Sequence, residues 1–445
     1  MASFFHSYDL RGVYPEEIGE REAERVGKAY GTFTDAEEVL VGRDGRSHSD
    51  EVASAFINGV RSTGTDVIDA GQVPTPVIYF GMVDRSIESS AIVTASHNPP
   101  EYTGFKFTKE GALAMSRDGG MADIERLYEE KEFETGSGGY REVELEEDYV
   151  DFVSEKIKLQ DGLEVAVNFG NGVTADIGVE FLESLGCSVT PVNDEVDGSF
   201  PNHLPAPGEE RAQEQLREAM DDEDLGIIFD GDGDRAGFML ASGEYVAEDK
   251  VIAVFAEEVL GSRDGKVLHD LRASKLVPER VRENGGEPVE TRVGHTFISE
   301  EIHDDPGIVF AGELSGHYYF PAFEVPWDDG LFAAALMCEI ASSQDLTEKI
   351  ESMPEYPVSP ELRIDCPEEA KQQVVEGIEQ RYSDHPTTDR DGVKVEFDDG
   401  WALVRPSSTE PKMSVRCEAD SEEALDRILE EVREDVEELI EQFSP

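Results

Sequence analysis

The chain has 445 residues, too many for one hydrophobic core, so roughly two to four domains are expected. Its 100 Asp and Glu against 38 Lys and Arg give a formal net charge of -62, which argues against nucleic acid or an anionic membrane surface as partner. The acid is spread along the chain rather than gathered in a tail, and the apolar content of 38% is globular, so disorder is excluded as well. Lys is scarce even relative to Arg. This profile fits a protein adapted to molar salt, where the Debye length falls to about 3 Å and self-repulsion is quenched.

No stretch approaches the roughly 18 apolar residues of a membrane span. The N-terminus lacks a basic region followed by an apolar one, so no signal peptide is read. A soluble cytoplasmic protein is expected. The cysteines Cys187, Cys338, Cys366 and Cys417 form no Cys-x-x-Cys and are expected as buried small hydrophobes.

In chain order, apolar strand-like runs alternate with helical patterns, which favours α/β units. The run Ala91-Ile92-Val93 leads into Thr94-Ala95-Ser96-His97-Asn98-Pro99. A short apolar run closed by Pro predicts a buried strand ending in a loop. That loop presents the Ser96 hydroxyl beside an imidazole, at the strand end where α/β folds place their chemistry. The Gly-x-Ser-x-Gly elbow of hydrolases is absent, since Thr94 and Asn98 hold the glycine positions. Thr135-Gly136-Ser137-Gly138-Gly139 reads as a linker. The run Ile227-Ile228-Phe229 then leads into Asp230-Gly231-Asp232-Gly233-Asp234-Arg235. Carboxylates alternating with glycines suit a hard divalent cation. An EF-hand loop is excluded, because Arg235 stands where it needs Gly and Ala241 where it needs Glu. A hydroxyl nucleophile and a magnesium-type cluster in one chain point to phosphoryl transfer.

A boundary is expected near Ser242-Gly243. Ile308-Val309-Phe310 is the third run, feeding Ala311-Gly312-Glu313-Leu314-Ser315-Gly316-His317. Another boundary falls in the cluster Pro354, Pro357 and Pro360. The expected units are 1–140, 141–243, 244–355 and 356–445. The first three are read as similar α/β domains whose strand-end loops face one cleft. In the last, Asp420 with Glu423 predicts a capping box. Leu425, Ile428, Leu429, Val432, Val436, Leu439, Ile440 and Phe443 then follow helical spacing, as a core-facing stripe.

With these motifs in place, the chain resembles the α-D-phosphohexomutase family in its phosphomannomutase/phosphoglucomutase branch, over its whole length and with a motif in each quarter. The resemblance implies three mixed α/β domains and a fourth, α+β domain of TATA-binding-protein-like fold around one central cleft. It implies transfer of phosphoryl between O1 and O6 of a hexose phosphate, through a phosphoserine and a hexose 1,6-bisphosphate. Ser96 would be that phosphoserine and a magnesium ligand together with Asp230, Asp232 and Asp234. His97, Lys106 and Arg235 would act beside the transferring group. Lys106 lies in Glu101-Tyr102-Thr103-Gly104-Phe105-Lys106, which follows the Ser loop as in the family. Arg11 comes from the signature Tyr8-Asp9-Leu10-Arg11-Gly12. Gly42-Arg43-Asp44-Gly45-Arg46 and Pro74-Thr75-Pro76 match motifs read as structural. Arg272 falls where relatives carry a substrate Lys. Glu313, Ser315 and His317 would meet the sugar, with His295 lining the cleft. Arg405, Ser407, Ser408 and Thr409 would form the loop gripping the phosphate that is not reacting.

Small-molecule sugar phosphates are therefore the expected partners, mannose or glucose phosphates first. Phosphoglucosamine mutase activity is the near alternative. Two further readings are a phosphatase with Asp230 as its nucleophile, and a catalytically silent sugar-phosphate binder. The phosphatase motif would want Thr or Val at Asp234 and leaves Ser96 without a role. The silent binder is opposed by the filling of every expected catalytic position.

Overall fold

The computed structural model describes residues 4–6, 9–160, 162–407 and 411–444. Three mixed sheets share one strand order. In the first, Asp66–Gln72, Glu38–Arg43 and Ser89–Val93 run parallel side by side, and Tyr102–Lys109 joins Ser89–Val93 antiparallel. In the second, Cys187–Val192, Leu163–Asn168 and Leu225–Phe229 are parallel, and Ala236–Leu240 is antiparallel to the last. In the third, Glu287–Thr291, Lys266–Asp270 and Ile308–Gly312 are parallel, followed by antiparallel Tyr318–Phe320.

In the first sheet Leu10–Val13 precedes the three parallel strands in sequence and lies beyond Tyr102–Lys109. In each sheet the first of the three parallel strands is central. The chain adds the second strand on one side of it, then crosses to add the third on the other. That reversal opens a crevice at the carboxyl ends of the first and third strands, where open α/β sheets bind ligands. The three loops that leave the third strands are the Ser96 loop, the Asp230–Arg235 loop and the Glu313–His317 loop. Ala91–Val93 and Ile227–Phe229 are thus buried strand ends, as their composition predicts, whereas Ile308–Phe310 opens its strand, which runs on to Gly312, with Val309 partly exposed.

The sheets are not isolated cores. One apolar cluster runs continuously from Leu40 to Met353 through all three. The helix Thr75–Asp84, buried almost all round, packs on its own sheet, on the helix Glu146–Lys156 and on the strand Val325–Asp328. A helix that is apolar on every side needs neighbours on every side. The helix Gly330–Ser343 follows the third sheet in sequence yet lies against the second. Asp329 caps it by accepting from the Phe332 amide, and also accepts from Tyr149 Oη (2.8 Å) and Trp327 Nε1 (3.1 Å).

The fourth sheet is wholly antiparallel, in the order Leu362–Asp365, Lys412–Ala419, Gly400–Pro406, Val393–Phe397 and Thr387–Thr388. Lys371–Arg381 and Glu422–Phe443 cover it with the expected apolar stripe. The expected cap at Asp420 is corrected. Ser421 is the N-cap, its side chain accepting from the Ala424 amide, so Glu423 falls one position short of a capping box. Asp420 instead pairs with Lys275 of the third sheet's unit. Leu271, Trp401 and Leu403 form a small apolar contact between the same two units. All four cysteines are free and buried. Among the described residues, no helix is long and apolar enough to cross a membrane.

Candidate active site

Ser96 is 1% exposed and sits at φ 47°, in the left-handed region that costs an L-residue about 1–3 kcal/mol. The turn it makes aims Oγ away from its own strand and into the second unit. There Oγ donates to Asp230 Oδ2 at 2.8 Å, with His97 Nδ1 at 3.2 Å. The approach is close because residue 231 is glycine. A Cβ there would stand 2.5 Å from the Ser96 carbonyl oxygen.

Asp230, Asp232 and Asp234 are fully buried, with a carboxylate oxygen from each within 4.8 Å of the others. The backbone of their own loop holds Asp230, whose Oδ1 accepts from the amides of Gly233 (2.9 Å) and Arg235 (3.2 Å). The first unit holds Asp232, whose Oδ2 accepts from Thr75 Oγ1 (2.9 Å), Thr94 Oγ1 (3.1 Å) and Lys106 Nζ (2.9 Å). Lys106 also donates to Asp234. Asp232 Oδ1 is buried with no hydrogen-bond donor, and Asp234 Oδ1 has only longer contacts, His317 Nε2 at 3.4 Å and Arg235 Nε at 3.9 Å. Burial, then Asp234 and Asp232, push the Asp230 carboxyl well above its usual range. Desolvated carboxylates with two oxygens left over are the donor set of a hard divalent cation. The residues present therefore fit magnesium.

Lys106 pays a desolvation penalty, but Asp232 and Asp234 outweigh it and hold the ammonium charged. It is suited to neutralising negative charge, not to accepting a proton. Arg235, first, then burial and Arg11 press His97 down to about 2, so its imidazole is neutral. Arg11 donates to Asp9 Oδ2 (2.7 Å) and to the Thr94 carbonyl (3.2 Å), which brings it to the base of the Ser loop.

The third loop meets the second through a backbone bridge between Arg235 and His317. His317 Nδ1 lies 3.0 Å from Glu313 Oε2 and 2.9 Å from Ser315 Oγ. A carboxylate only accepts, so Nδ1 carries a proton. Nε2 is contested, with Arg235 Nε at 3.1 Å, Asp234 Oδ1 at 3.4 Å and Asp328 Oδ2 at 3.8 Å. Accepting from Arg235 would make the ring neutral. Burial and Arg235 press it down, but Asp234 and Glu313 outweigh them and hold it near 9. Buried carboxylates outnumber the one guanidinium, so the cation is the stronger reading, and it frees Arg235 Nε for another acceptor. Glu313 Oε1 accepts from the Gly294 amide at 2.9 Å, which places His295 alongside, ring to ring with His317 at 5.8 Å. Burial, then Lys106 and His317, take His295 down to about 4.

Arg272 is less central. Its Nε and Nη2 grip Asp270, whose Oδ2 also accepts from the Leu314 amide at 3.0 Å. It braces the root of the Glu313 loop. Arg405 and Ser407 are not drawn into the aspartate cluster. With Arg363 and Lys412 they line a separate cavity of ≈ 120 Å³, and Arg405 pairs with Asp391 at 2.6 Å. Tyr8, Ser408 and Thr409 lie outside the described residues.

Two participants escaped the sequence reading. Thr75 was there in a motif taken as structural. Asp328, beside His317 and pushed to about 7 first by burial and then by Asp234, had no local signal at all.

Three sheet-end crevices meeting at one hydroxyl, one acidic cluster and one imidazole define a multidomain phosphoryl-transfer enzyme. Sequence models of phosphoglucomutase/phosphomannomutase match unit by unit: α/β/α domain I over residues 2–135, domain II over 147–243, domain III over 247–356 and the C-terminal domain over 361–435. The phosphomannomutase/phosphoglucomutase of Pseudomonas aeruginosa is 34% identical over 437 residues, 96% of this chain and 94% of that one. A probable phosphoglucosamine mutase of Methanopyrus kandleri is 35% identical over 456 residues, covering 99% and 100%. A crystal structure of a phosphoglucomutase/phosphomannomutase family protein from Burkholderia thailandensis superposes with a TM-score of 0.91 at 32% identity, covering 99% and 98%. The chain belongs to the phosphoglucomutase/phosphomannomutase family. It is an isomerase of the phosphomutase class.

Proposed function

We propose that the chain interconverts hexose 1-phosphates and hexose 6-phosphates of mannose, glucose or both, with Ser96 carrying the phosphoryl group. The Ser96 hydroxyl 2.8 Å from Asp230, inside a three-aspartate cluster, carries this reading. The phosphoserine gives its phosphoryl to O6 of a hexose 1-phosphate. The sugar hydroxyl loses its proton and Ser96 Oγ regains one. The resulting hexose 1,6-bisphosphate turns over in the cleft. Its O1 phosphoryl returns to Ser96, and hexose 6-phosphate leaves.

Asp230, Asp232, Asp234 and the Ser96 oxygen would hold magnesium, which supplies charge neutralisation as a Lewis acid. Lys106 and Arg235 add positive charge around the transferring group. His97, neutral and beside Oγ, orients the hydroxyl. His317, held near 9 and backed by Glu313, suits proton delivery at the sugar. Glu313 and Ser315 would bond sugar hydroxyls, with Arg11, Arg272 and His295 lining the cleft. Arg405 and Ser407, with Ser408 and Thr409, would hold the distal phosphate. The units of this enzyme would be 1–140, 141–243, 244–355 and 356–445.

The proposal includes the cytoplasm as compartment and molar salt as medium, the latter supported by the net charge of -62. An unchanged melting temperature from molar to millimolar salt would refute the salt adaptation. The Methanopyrus kandleri relative keeps glucosamine 1-phosphate as a second substrate to try. The phosphatase reading is opposed by Asp234, which stands where its motif wants Thr or Val, and it leaves Ser96 without a role. Intact-mass measurement with parallel assays on glucose, mannose and glucosamine 1-phosphates tests the whole. One phosphate on Ser96 with turnover of a 1-phosphate is expected. A chain that takes up no phosphate from glucose 1,6-bisphosphate would refute it.

A further inference from the structure

The Ser96 loop is held from outside by a residue that no step above uses. Arg46 is 3% exposed, and its guanidinium donates to four backbone carbonyls of one loop. Nη2 reaches Ser96 O (2.8 Å) and Asn98 O (2.6 Å), and Nη1 reaches Pro99 O (2.7 Å) and Tyr102 O (3.2 Å). Asp44 Oδ2 lies 3.2 Å from Nε and compensates the buried charge. The reach follows from topology. Arg43 and Val93 pair across neighbouring parallel strands, so the loops leaving those strands begin side by side.

The second unit closes over this arrangement. The Phe200 ring covers the guanidinium at 4.9 Å. Residue 198 is glycine because a Cβ there would stand 2.1 Å from the Ser47 amide nitrogen and 2.4 Å from Arg46 Cα. The clamp is therefore built from two units and shielded from water.

We infer that Arg46 is a positioning residue for the phosphoryl-carrying serine: its planar fork holds four carbonyls so that Ser96 stays in the left-handed conformation that aims Oγ at Asp230. The inference rests on the proposed role of Ser96. Five donors in a rigid fork can serve four acceptors at once, and a lysine ammonium has three donors and no fixed plane. Without the fork, Ser96 relaxes toward extended backbone and Oγ swings off the aspartate cluster. A misplacement of about 1 Å at a reacting group costs roughly 100-fold in rate. Among the described residues, the hydrogen bonds and ion pair of Arg46 reach no residue placed at the sugar, so the loss falls on turnover and not on substrate affinity.

The test uses the full chain with magnesium. Arg46→Lys keeps the charge that Asp44 requires, so it folds. Arg46→Gln removes the charge as well. Two quantities are read: kcat and KM for glucose 1-phosphate, and the rate at which glucose 1,6-bisphosphate phosphorylates Ser96, by intact mass. For Arg46→Lys, kcat and the phosphorylation rate are both expected to fall roughly 30- to 100-fold, with KM within about 3-fold of wild type. Arg46→Gln is expected to fall further. Arg46→Lys with wild-type phosphorylation, or with its loss entirely in KM, would overturn the clamp. A wild-type chain that takes no phosphate on Ser96 would overturn the underlying reading, and the inference with it.

Discussion

The aspartate–serine cluster and the Arg405 loop both bring opposite charges together, but in opposite ways. In the cluster every side chain is buried, and its partners come from other units: Thr75, Thr94 and Lys106 of the first meet Asp232 of the second, and His317 of the third meets Asp234. Arg405 is 19% exposed, within one antiparallel sheet, and its partner Asp391 belongs to that same sheet's unit. Buried charges must be matched when the chain folds, because desolvation cannot be recovered later. A partly exposed guanidinium can exchange one anion for another. The cluster is thus preset, and Arg405 keeps the exposure that its proposed role of catching and releasing a phosphate requires.

This contrast can be broken first at Ser96. Ser96→Ala should abolish turnover, by about 10⁴-fold or more, because no other group can store the phosphoryl. Its melting temperature should stay close to wild type, since Asp230 keeps two amide donors. Residual turnover within tenfold of wild type, with a bisphosphate activator present, would sink the assignment.

Asp232→Asn should come next. Loss of an outer partner of a metal site already costs about 10- to 100-fold, so loss of a carboxylate within it should exceed that. The variant also leaves Lys106 facing one buried carboxylate in place of two. Magnesium titration followed by activity, with a chelator control, reads both effects. Full wild-type activity in excess chelator would remove the metal from the scheme.

Arg405→Ala should be milder and of another kind. A charge-assisted phosphate contact is worth about 1.5–3 kcal/mol, so binding of 1-phosphate and 6-phosphate sugars should weaken alike, roughly 10- to 150-fold. Free hexose 1,6-bisphosphate should leak more. Weakening at one end only, without leakage, would show that the loop is not a shared anchor.

The last effect expected falls on stability and not on turnover, as a pH dependence. His317 stands near 9 in the fold against 6.5 in the unfolded chain. A raised folded value contributes stability that is complete below about 6.5 and lost as pH rises through 9. The gap in unfolding free energy between wild type and His317→Gln should therefore narrow by roughly 2–3 kcal/mol between those limits. Denaturant unfolding at several pH values measures it. A gap that widens would mean a neutral His317 bonded to Arg235.

The order of short apolar runs and mostly Gly-containing polar loops was enough to place three strands and the loops that follow them. Such runs are local, since burial of a short strand is written in its own side chains. The stripe of Glu422–Phe443 was legible for the same reason. Its cap was misplaced by one residue, because Asp420 and Ser421 are both good caps, and Lys275 of another unit takes the first. Which charges meet was not local. Thr75 on Asp232, Asp328 beside His317 and Arg46 on the Ser loop join residues 157, 11 and 50 positions apart in sequence. No periodicity records such pairs, because the first forms only when two sheets dock and the other two only when separate strands of one sheet come together. The sequence alone determined the motifs proposed to react and the strands that carry them. The tertiary structure decided their protonation, their aim and the oxygens left for a cation, because those depend on desolvation and on charges that only packing brings within a few ångströms.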